Sequence, residues 1–246
     1  MISHAERVRV GDLELHVTSA GAGYPVLLLH GFPQTHLAWR HVAANLADGH
    51  RVVCPDLPGY GASDKPEGQE RYAKRATAAT MVGLMRELGH DTFAVIGHDR
   101  GALVAFRAAL DHPDAVAQVG VIDVIPTVDM WESLTGTGGV FAFHLYLLAQ
   151  PSDIAERMIS ADPDAFHGHF LDSWAPDPAT IPDDIRAAYL AATRTPEAIR
   201  AVCDDYRASA FIDADHDRAD RAAGRNSRPL WTVKRCLGTE LCFAGL

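Results

Sequence analysis

Cysteine, positive charge and long apolar segments are all scarce in this sequence of 246 residues. Its four cysteines show no Cys-x-x-Cys spacing, which argues against a zinc site and favours a reducing compartment. No apolar run is long enough to span a membrane, and residues 1–10 lack the apolar core of a signal peptide. We therefore expect a cytoplasmic protein without a membrane partner.

The charge balance restricts the partners further. The 22 lysines and arginines are outnumbered by 32 aspartates and glutamates, which gives a formal net charge of −10. Such a chain repels the phosphates of nucleic acids, so we expect no nucleic-acid partner. The length and the hydrophobic fraction of 48% fit one α/β domain, with or without an inserted subdomain.

Strand patterns and helix patterns alternate in the first half of the chain. Alternating polar and apolar residues predict an antiparallel hairpin at residues 7–10 and 13–18. Continuous apolar runs predict buried strands at 25–29, 51–54, 92–96 and 116–122, with helices at 36–46, 72–88 and 102–110. This alternation predicts an α/β fold with a doubly wound, mostly parallel sheet.

The pattern changes after about Pro126. Residues 130–150, 152–159 and 181–206 predict helices with no strand between them, and the region is rich in aromatic residues. We interpret it as a helical cap that is inserted after a strand and covers the site. The aromatic residues could equally be core packing between cap and sheet. The predicted division is a core at 1–125, a cap at 126–217 and a remnant or divergent part of the core at 218–246.

A strand, a tight turn and a helix follow one another around Asp99. The turn reads Gly97-His98-Asp99-Arg100-Gly101, which is the setting of a nucleophile elbow, where small flanking residues let strand and helix pass closely. The apex carries a carboxylate in place of a serine hydroxyl, which excludes a serine esterase. An aspartate at a helix N-terminus stays ionised and can attack carbon directly. A chance Gly-x-Asp-x-Gly in a surface turn is the alternative.

Four stretches together resemble one family. They are His30-Gly31-Phe32-Pro33, the segment 56–64 (Asp-Leu-Pro-Gly-Tyr-Gly-Ala-Ser-Asp), the elbow at 97–101, and Asp123. They are similar to the α/β-hydrolase fold, and more narrowly to its Asp-nucleophile branch of dehalogenases and epoxide hydrolases. From about residue 5 to about residue 224 the chain most resembles the haloacetate (fluoroacetate) dehalogenases. The resemblance implies a hydrolase that acts on carbon–halide bonds and needs no metal and no organic cofactor.

The resemblance also implies catalytic roles. Asp99 would displace halide from the substrate carbon and form an ester, which water activated by a histidine then hydrolyses. Asp123 matches the acid that orients this histidine, and it could instead cap the following loop. The backbone N–H groups of Phe32 and Arg100 would hold the oxyanion that forms during hydrolysis.

Substrate-binding roles follow in the same way. The side chain of Arg100 matches an arginine that grips the substrate carboxylate, so a small haloacid is the expected small-molecule substrate. An exposed arginine at a helix start is the alternative for Arg100. His144 and Tyr206 match residues that surround the leaving halide, or they could be interior polar residues whose hydrogen bonds are satisfied.

Two leucines depart from the family pattern. The second carboxylate-binding arginine is replaced by Leu103, and the halide-binding tryptophan beside the cap histidine is replaced by Leu145. Fluoroacetate most needs these partners, because its carbon–fluorine bond is the hardest to break. We therefore expect chloroacetate or bromoacetate to be better substrates.

The last residues depart more strongly. Residues 226–246 are basic, and the last histidine of the sequence is His216, so no position matches the catalytic base. We interpret this as a truncated or frameshifted C-terminus, in which the last strands of the sheet are missing and turnover is impaired.

Two other functions compete with a dehalogenase. An epoxide hydrolase would use cap tyrosines to protonate the epoxide oxygen, and Tyr146, Tyr189 and Tyr206 are available. Arg100 argues against it, because a neutral epoxide does not need a guanidinium. A catalytically inactive binding protein would keep the pocket without the base. With any of these functions, the protein could form a homodimer.

Overall fold

The computed structural model describes residues 4–175, 177 and 180–225. A mixed sheet of six strands runs through this part of the chain in the order β1-β2-β4-β3-β5-β6. The strands are β1 (His4–Val10), β2 (Leu13–Ala20), β3 (Tyr24–Leu29), β4 (His50–Pro55), β5 (Phe93–His98) and β6 (Val116–Ile122). β1, β2 and β4 pair antiparallel, and β4, β3, β5 and β6 pair parallel. The predicted α/β fold with an edge hairpin and a mostly parallel sheet is confirmed.

Side chains along β3 alternate between the two faces of the sheet. Leu27 and Leu29 point into one cluster of buried residues, whereas Val26 and Leu28 point into another. The first cluster includes residues of α2 (Lys74–Glu87) and α3 (Arg100–Asp111), and the second includes Ala43 of α1 (Arg40–Leu46). Helices therefore cover both faces, which explains why the central strands are apolar throughout.

Only helices follow β6 in the described part of the chain. They are α4 (Thr127–Ser133), α5 (Thr137–Phe141), α6 (Phe143–Leu148), α7 (Ile154–Ala161), α8 (Pro163–Ser173), α9 (Asp183–Ala191), α10 (Pro196–Arg207), a π-helix (Ala208–Asp213) and α11 (Ala214–Ala222). The helical character of this region matches the sequence pattern. The division at residues 125 and 217 stays a prediction.

The predicted helix lengths were wrong in this region. The helix expected over 181–206 is two helices, because Thr195 caps a new N-terminus and Pro196 occupies its first turn. The stretch 130–150 is divided by a turn at Gly136, whose φ of 57° lies in the left-handed region. Helix α8 was not predicted, and it begins in the same way, with Asp162 as cap and Pro163 in the first turn.

None of the described helices combines the length and apolar character that crossing a bilayer requires. The predicted loss of the last strands and the altered C-terminus concern residues 226–246, which lie outside the described residues.

Candidate active site

Asp99 occupies the turn between β5 and α3 in a strained backbone conformation, with φ 49° and ψ −117°. The turn is tight because a Cβ on Gly97 would overlap the carbonyl oxygen of Gly101. A Cβ on Gly101 would in turn overlap the carbonyl oxygen of Leu29 on the neighbouring strand. Both glycines are thus required for the helix to leave the sheet so abruptly. The carboxylate projects at the C-terminal edge of the sheet, where parallel sheets bind their ligands.

Asp123 lies at the same edge, one strand away. His98 and Ile122 are paired in the parallel register of β5 and β6, so Asp99 and Asp123 are the next residues on the two strands. The Asp99 N–H donates to the Ile122 carbonyl at 3.1 Å. Asp123 also has a positive φ, of 54°, and its side chain is exposed.

The backbone of Phe32 holds the Asp99 carboxylate directly. Its N–H donates to Asp99 Oδ2 at 2.8 Å. This approach depends on Gly31, since a Cβ there would lie 2.6 Å from the Cβ of Asp99. The donor is therefore correctly placed for an oxyanion that develops on the carboxyl carbon of Asp99.

His30 holds the loop that carries Phe32. It is fully buried, its Nε2 accepts the Leu57 N–H at 3.0 Å, and its Nδ1 lies 3.0 Å from the Gly31 carbonyl oxygen. These bonds fix the neutral tautomer with the proton on Nδ1, and burial lowers the pKa of the ring. His30 thus joins the loop at 30–33 to the segment at 56–64.

The ring of Phe32 lies at the centre of an aromatic cluster. Its plane is tilted by only 4° from that of His144, with 6.3 Å between ring centroids, and it meets Tyr206 edge-on at 5.6 Å. Other rings within 6.2 Å belong to Phe170, His167 and Trp174. The structure thus brings together Phe32, His144 and Tyr206. Phe170 and Trp174 belong to the aromatic residues that could be core packing, and the sequence did not single out His167.

His144 is a neutral polar group within this cluster. Burial lowers the pKa of its ring to about 4, and the charges of Asp99 and Arg100 act on it in opposite directions. Its Nδ1 is buried without a hydrogen-bond partner. A buried polar atom without a partner indicates a site that a ligand or water can fill.

The side chain of Arg100 is buried, with only 2% of its surface exposed. Its Nε donates to Asp205 Oδ2 at 2.8 Å and its Nη2 to the Asp205 carbonyl at 2.9 Å. The guanidinium carbon lies 4.2 Å above the centroid of the Tyr206 ring. The alternative of an exposed arginine at a helix start is therefore wrong.

Asp205 connects Arg100 to a larger polar cluster. Its carboxylate contacts the ammonium of Lys74 and accepts the Tyr60 hydroxyl at 2.8 Å. Burial opposes ionisation, but the charges of Arg100 and Lys74 hold the pKa of Asp205 well below its usual range. Next to Lys74, burial raises the pKa of Asp213 to about 6, and its Oδ2 has no partner.

The family model for the alpha/beta hydrolase fold matches residues 24–189. The chain belongs to the α/β-hydrolase fold family. The predicted resemblance is confirmed at this level, and Asp99 lies in the strained turn between β5 and α3.

The relatives of this α/β-hydrolase include proteins named dehalogenase and proteins named epoxide hydrolase. Fluoroacetate dehalogenase from Burkholderia sp. is 42% identical over 218 residues, which cover 87% of this chain and 71% of that protein. Soluble epoxide hydrolase from Corynebacterium sp. (strain C12) is 32% identical over 218 residues, which cover 87% of this chain and 75% of the relative. The solved structure of a proposed epoxide hydrolase from Pseudomonas aeruginosa superposes with a TM-score of 0.87 at 43% identity, covering 90% and 75% of the two chains.

Sequence reasoning missed the cluster behind Arg100. Asp205 had been covered only by the helix predicted over 181–206, and Lys74 only by the helix predicted over 72–88. The available signal was the buried face of α10, where Asp205 falls among apolar residues. A carboxylate on an apolar helix face needs a buried cation, and that cation should have been sought.

A separate group could bind a metal. In the described ranges, donor atoms of His16, His36 and Asp56 lie within 4.8 Å of one another. Asp56 Oδ1 already accepts the N–H and the Nδ1–H of His36, and Oδ2 accepts the Ala62 N–H. A metal would have to displace these bonds, so the group fits a structural role better.

Proposed function

We propose that this α/β-hydrolase is of the haloacetate dehalogenase type, with Asp99 as a carboxylate nucleophile that acts on a small 2-haloacid. The observation that carries the proposal is the hydrogen bond from the Phe32 N–H to Asp99 Oδ2. This bond fixes one carboxylate oxygen and leaves Oδ1 to attack. Arg100, next to Asp99 in sequence, supplies positive charge for the substrate carboxylate.

The first step is a displacement at carbon. An electron pair of Asp99 Oδ1 forms a bond to the substrate α-carbon, and the carbon–halogen bond breaks so that halide leaves with its electron pair. His144 and Tyr206 lie against Phe32, and the charge of Asp99 acts on both of them. As polar groups within apolar walls, they stabilise the departing anion.

The second step is hydrolysis of the ester. Water adds to the carboxyl carbon of Asp99, the Phe32 N–H stabilises the resulting oxyanion, and collapse restores the carboxylate and releases a 2-hydroxyacid. The water must give its proton to a base that Asp123 would orient. The predicted absence of this base concerns residues 226–246, so impaired turnover of the 246-residue chain stays a prediction.

Epoxide hydrolysis is the second candidate, because relatives carry that name. It requires tyrosines beside the nucleophile. Tyr206 lies in the Phe32 cluster, but the Tyr146 hydroxyl donates to the Leu134 carbonyl at 2.7 Å and its ring lies against Trp131. The pKa of Tyr189 is raised mainly by burial, and Arg40 and Asp56 are the charged groups that act on it. This distribution favours the dehalogenase.

One assay distinguishes the candidates. Purified protein is incubated with chloroacetate, with bromoacetate or with styrene oxide, and halide release and diol formation are measured per mole of protein. Halide release that Asp99→Asn abolishes supports the proposal. Diol formation without halide release contradicts it in favour of an epoxide hydrolase. Thermal stabilisation by chloroacetate with neither product indicates a binding protein without activity.

A further inference from the structure

The guanidinium of Arg100 has two edges with different surroundings. Nε and Nη2 form its side-on edge, and both donate to Asp205: Nε to the carboxylate and Nη2 to the backbone carbonyl. The Tyr206 ring covers one face of the guanidinium plane. Asp205 does not use Nη1, so the end-on edge, formed by Nη1 and Nη2, is the one directed away from it. The two parallel N–H groups of an end-on edge match the two oxygens of a carboxylate.

Asp205 could neutralise Arg100 and so remove its attraction for an anion. Lys74 opposes this, because its ammonium contacts Asp205 Oδ1 while Arg100 and Tyr60 share Oδ2. Two cations thus share one buried carboxylate, and all of these side chains are almost completely buried. Burial and the charge of Arg100 lower the pKa of Lys74, whereas Asp205, which it contacts, and Asp213 both favour the charged form.

We propose that Asp205 and Lys74 are positioning residues of a carboxylate-binding site, in which Asp205 fixes Arg100 through its side-on edge and Lys74 offsets the charge of Asp205. This inference rests on the proposed function. A guanidinium held on one edge and one face loses little conformational entropy when a carboxylate binds. One arginine can then select haloacids although Leu103 replaces the second arginine of the family pattern. Neither Asp205 nor Lys74 touches the reacting atoms.

The ligand class that follows is a small 2-halo monocarboxylate. Chloroacetamide is the matched probe, because it carries the same carbon–chlorine bond next to an amide that has no charge. Arg100 should discriminate between chloroacetate and chloroacetamide, whereas Asp99 should attack the carbon of both. The ratio of the two alkylation rates therefore reports the carboxylate site separately from the nucleophile.

The experiment measures the rate at which each compound labels the Asp99 peptide, across a range of concentrations. Asp205→Asn should lower the chloroacetate rate about tenfold or more through weaker saturation, since the amide offers one acceptor oxygen where the carboxylate holds Arg100 and Lys74 with two. Its chloroacetamide rate should stay near that of the unchanged protein. Lys74→Met should shift the ratio in the same direction, and Asp205→Glu should restore part of it.

Asp204→Asn is the control, because this neighbouring carboxylate on α10 contacts Arg207 and not Arg100. If Asp205→Asn does not fold, Tyr60→Phe removes a single hydrogen bond to Asp205 and should shift the ratio by a smaller factor. If both compounds label Asp99 and the ratio of their alkylation rates is the same in the Asp205, Tyr60 and Asp204 variants, the inference is overturned but the proposed function is not. Absence of both label and chloride release with the two compounds in the unchanged protein overturns the proposed function as well.

Discussion

The Phe32 N–H donates to Asp99 Oδ2 at 2.8 Å, and this bond joins the loop after β3 to the elbow after β5. It orients the carboxylate, and in the proposed mechanism it is directed at the oxygen that becomes the oxyanion. Two strand ends that are neighbours in the sheet thereby meet at one carboxylate.

Replacing Gly31 by alanine should displace Asp99. The new methyl group would lie 2.6 Å from Asp99 Cβ, so the carboxylate must move and lose its bond to Phe32. We expect the rate of Asp99 alkylation to fall about tenfold or more, because the hydrogen bond is made to a charged group. The measurement is the rate of Asp99 labelling by bromoacetate. Gly138→Ala, where a Cβ meets nothing within 4 Å, is the control, and equal rates in the two variants would count against this account.

Ionisation of Asp213 should lower the free energy of unfolding as pH rises. Burial raises the pKa of its carboxyl to about 6 from 3.8, so the folded protein binds a proton that the unfolded chain releases. This contribution is fully present below about pH 4 and is lost as pH rises through about 6, and it amounts to roughly 1–3 kcal/mol. Urea unfolding of the unchanged protein and of Asp213→Asn at pH 4.5 and 7.5 measures it.

Asp213→Asn should remove this part of the pH dependence. The difference in unfolding free energy between the unchanged protein and the variant should therefore decrease, or turn in favour of the variant, as pH rises. Asp215→Asn is the matched control, because that side chain is 76% exposed. A difference that stays constant between the two pH values would show that Asp213 is ionised throughout.

His144 should not titrate in the working range of the site. Burial lowers its pKa to about 4, so the ring is neutral from pH 6 to pH 8. We therefore expect His144→Gln to leave the pH dependence of Asp99 alkylation by chloroacetate unchanged over that interval. An inflection near pH 6.5 that disappears in His144→Gln would mean that the ring is solvated and charged as in a free peptide.

The identity of the halide should matter. Leu103 and Leu145 occupy positions where the family pattern has an arginine and a tryptophan, and both side chains are buried here. Without an indole N–H at position 145, fluoride leaves with less stabilisation than it requires, whereas chloride and bromide need less. Ion-selective electrodes should therefore record slower fluoride release from fluoroacetate than chloride release from chloroacetate. Equal rates would show that other groups stabilise fluoride.

The sheet could be predicted because its signals are local. The hairpin at residues 7–18 and the apolar runs that became β3 to β6 depend on alternation and on burial of both faces, which a sequence displays directly. The Asp99 elbow was also visible, because Gly97 and Gly101 have no substitute in so tight a turn. Helix ends after residue 126 were less accessible, since Thr195 and Asp162 act as caps within otherwise continuous helical patterns.

The surroundings of Arg100 could not be predicted. Asp205 is 105 residues away in sequence, and Lys74 is 131 residues from Asp205. Only the folded chain shows that the two cations meet one buried carboxylate. The same is true of His167, whose ring centroid lies 5.7 Å from that of Phe32 although nothing in the sequence around it indicates a site.

Covalent labelling of Asp99 is the most direct measurement of the central claim. The protein is mixed with bromoacetate, quenched in acid at short times, digested and examined by mass spectrometry, with Asp99→Asn in parallel. We predict a carboxymethyl ester on the Asp99 peptide that hydroxylamine removes, whereas a thioether on cysteine resists it. A peptide that stays unlabelled at every time without release of bromide, or a hydroxylamine-sensitive label that persists in Asp99→Asn, would contradict the assignment of Asp99 as the nucleophile.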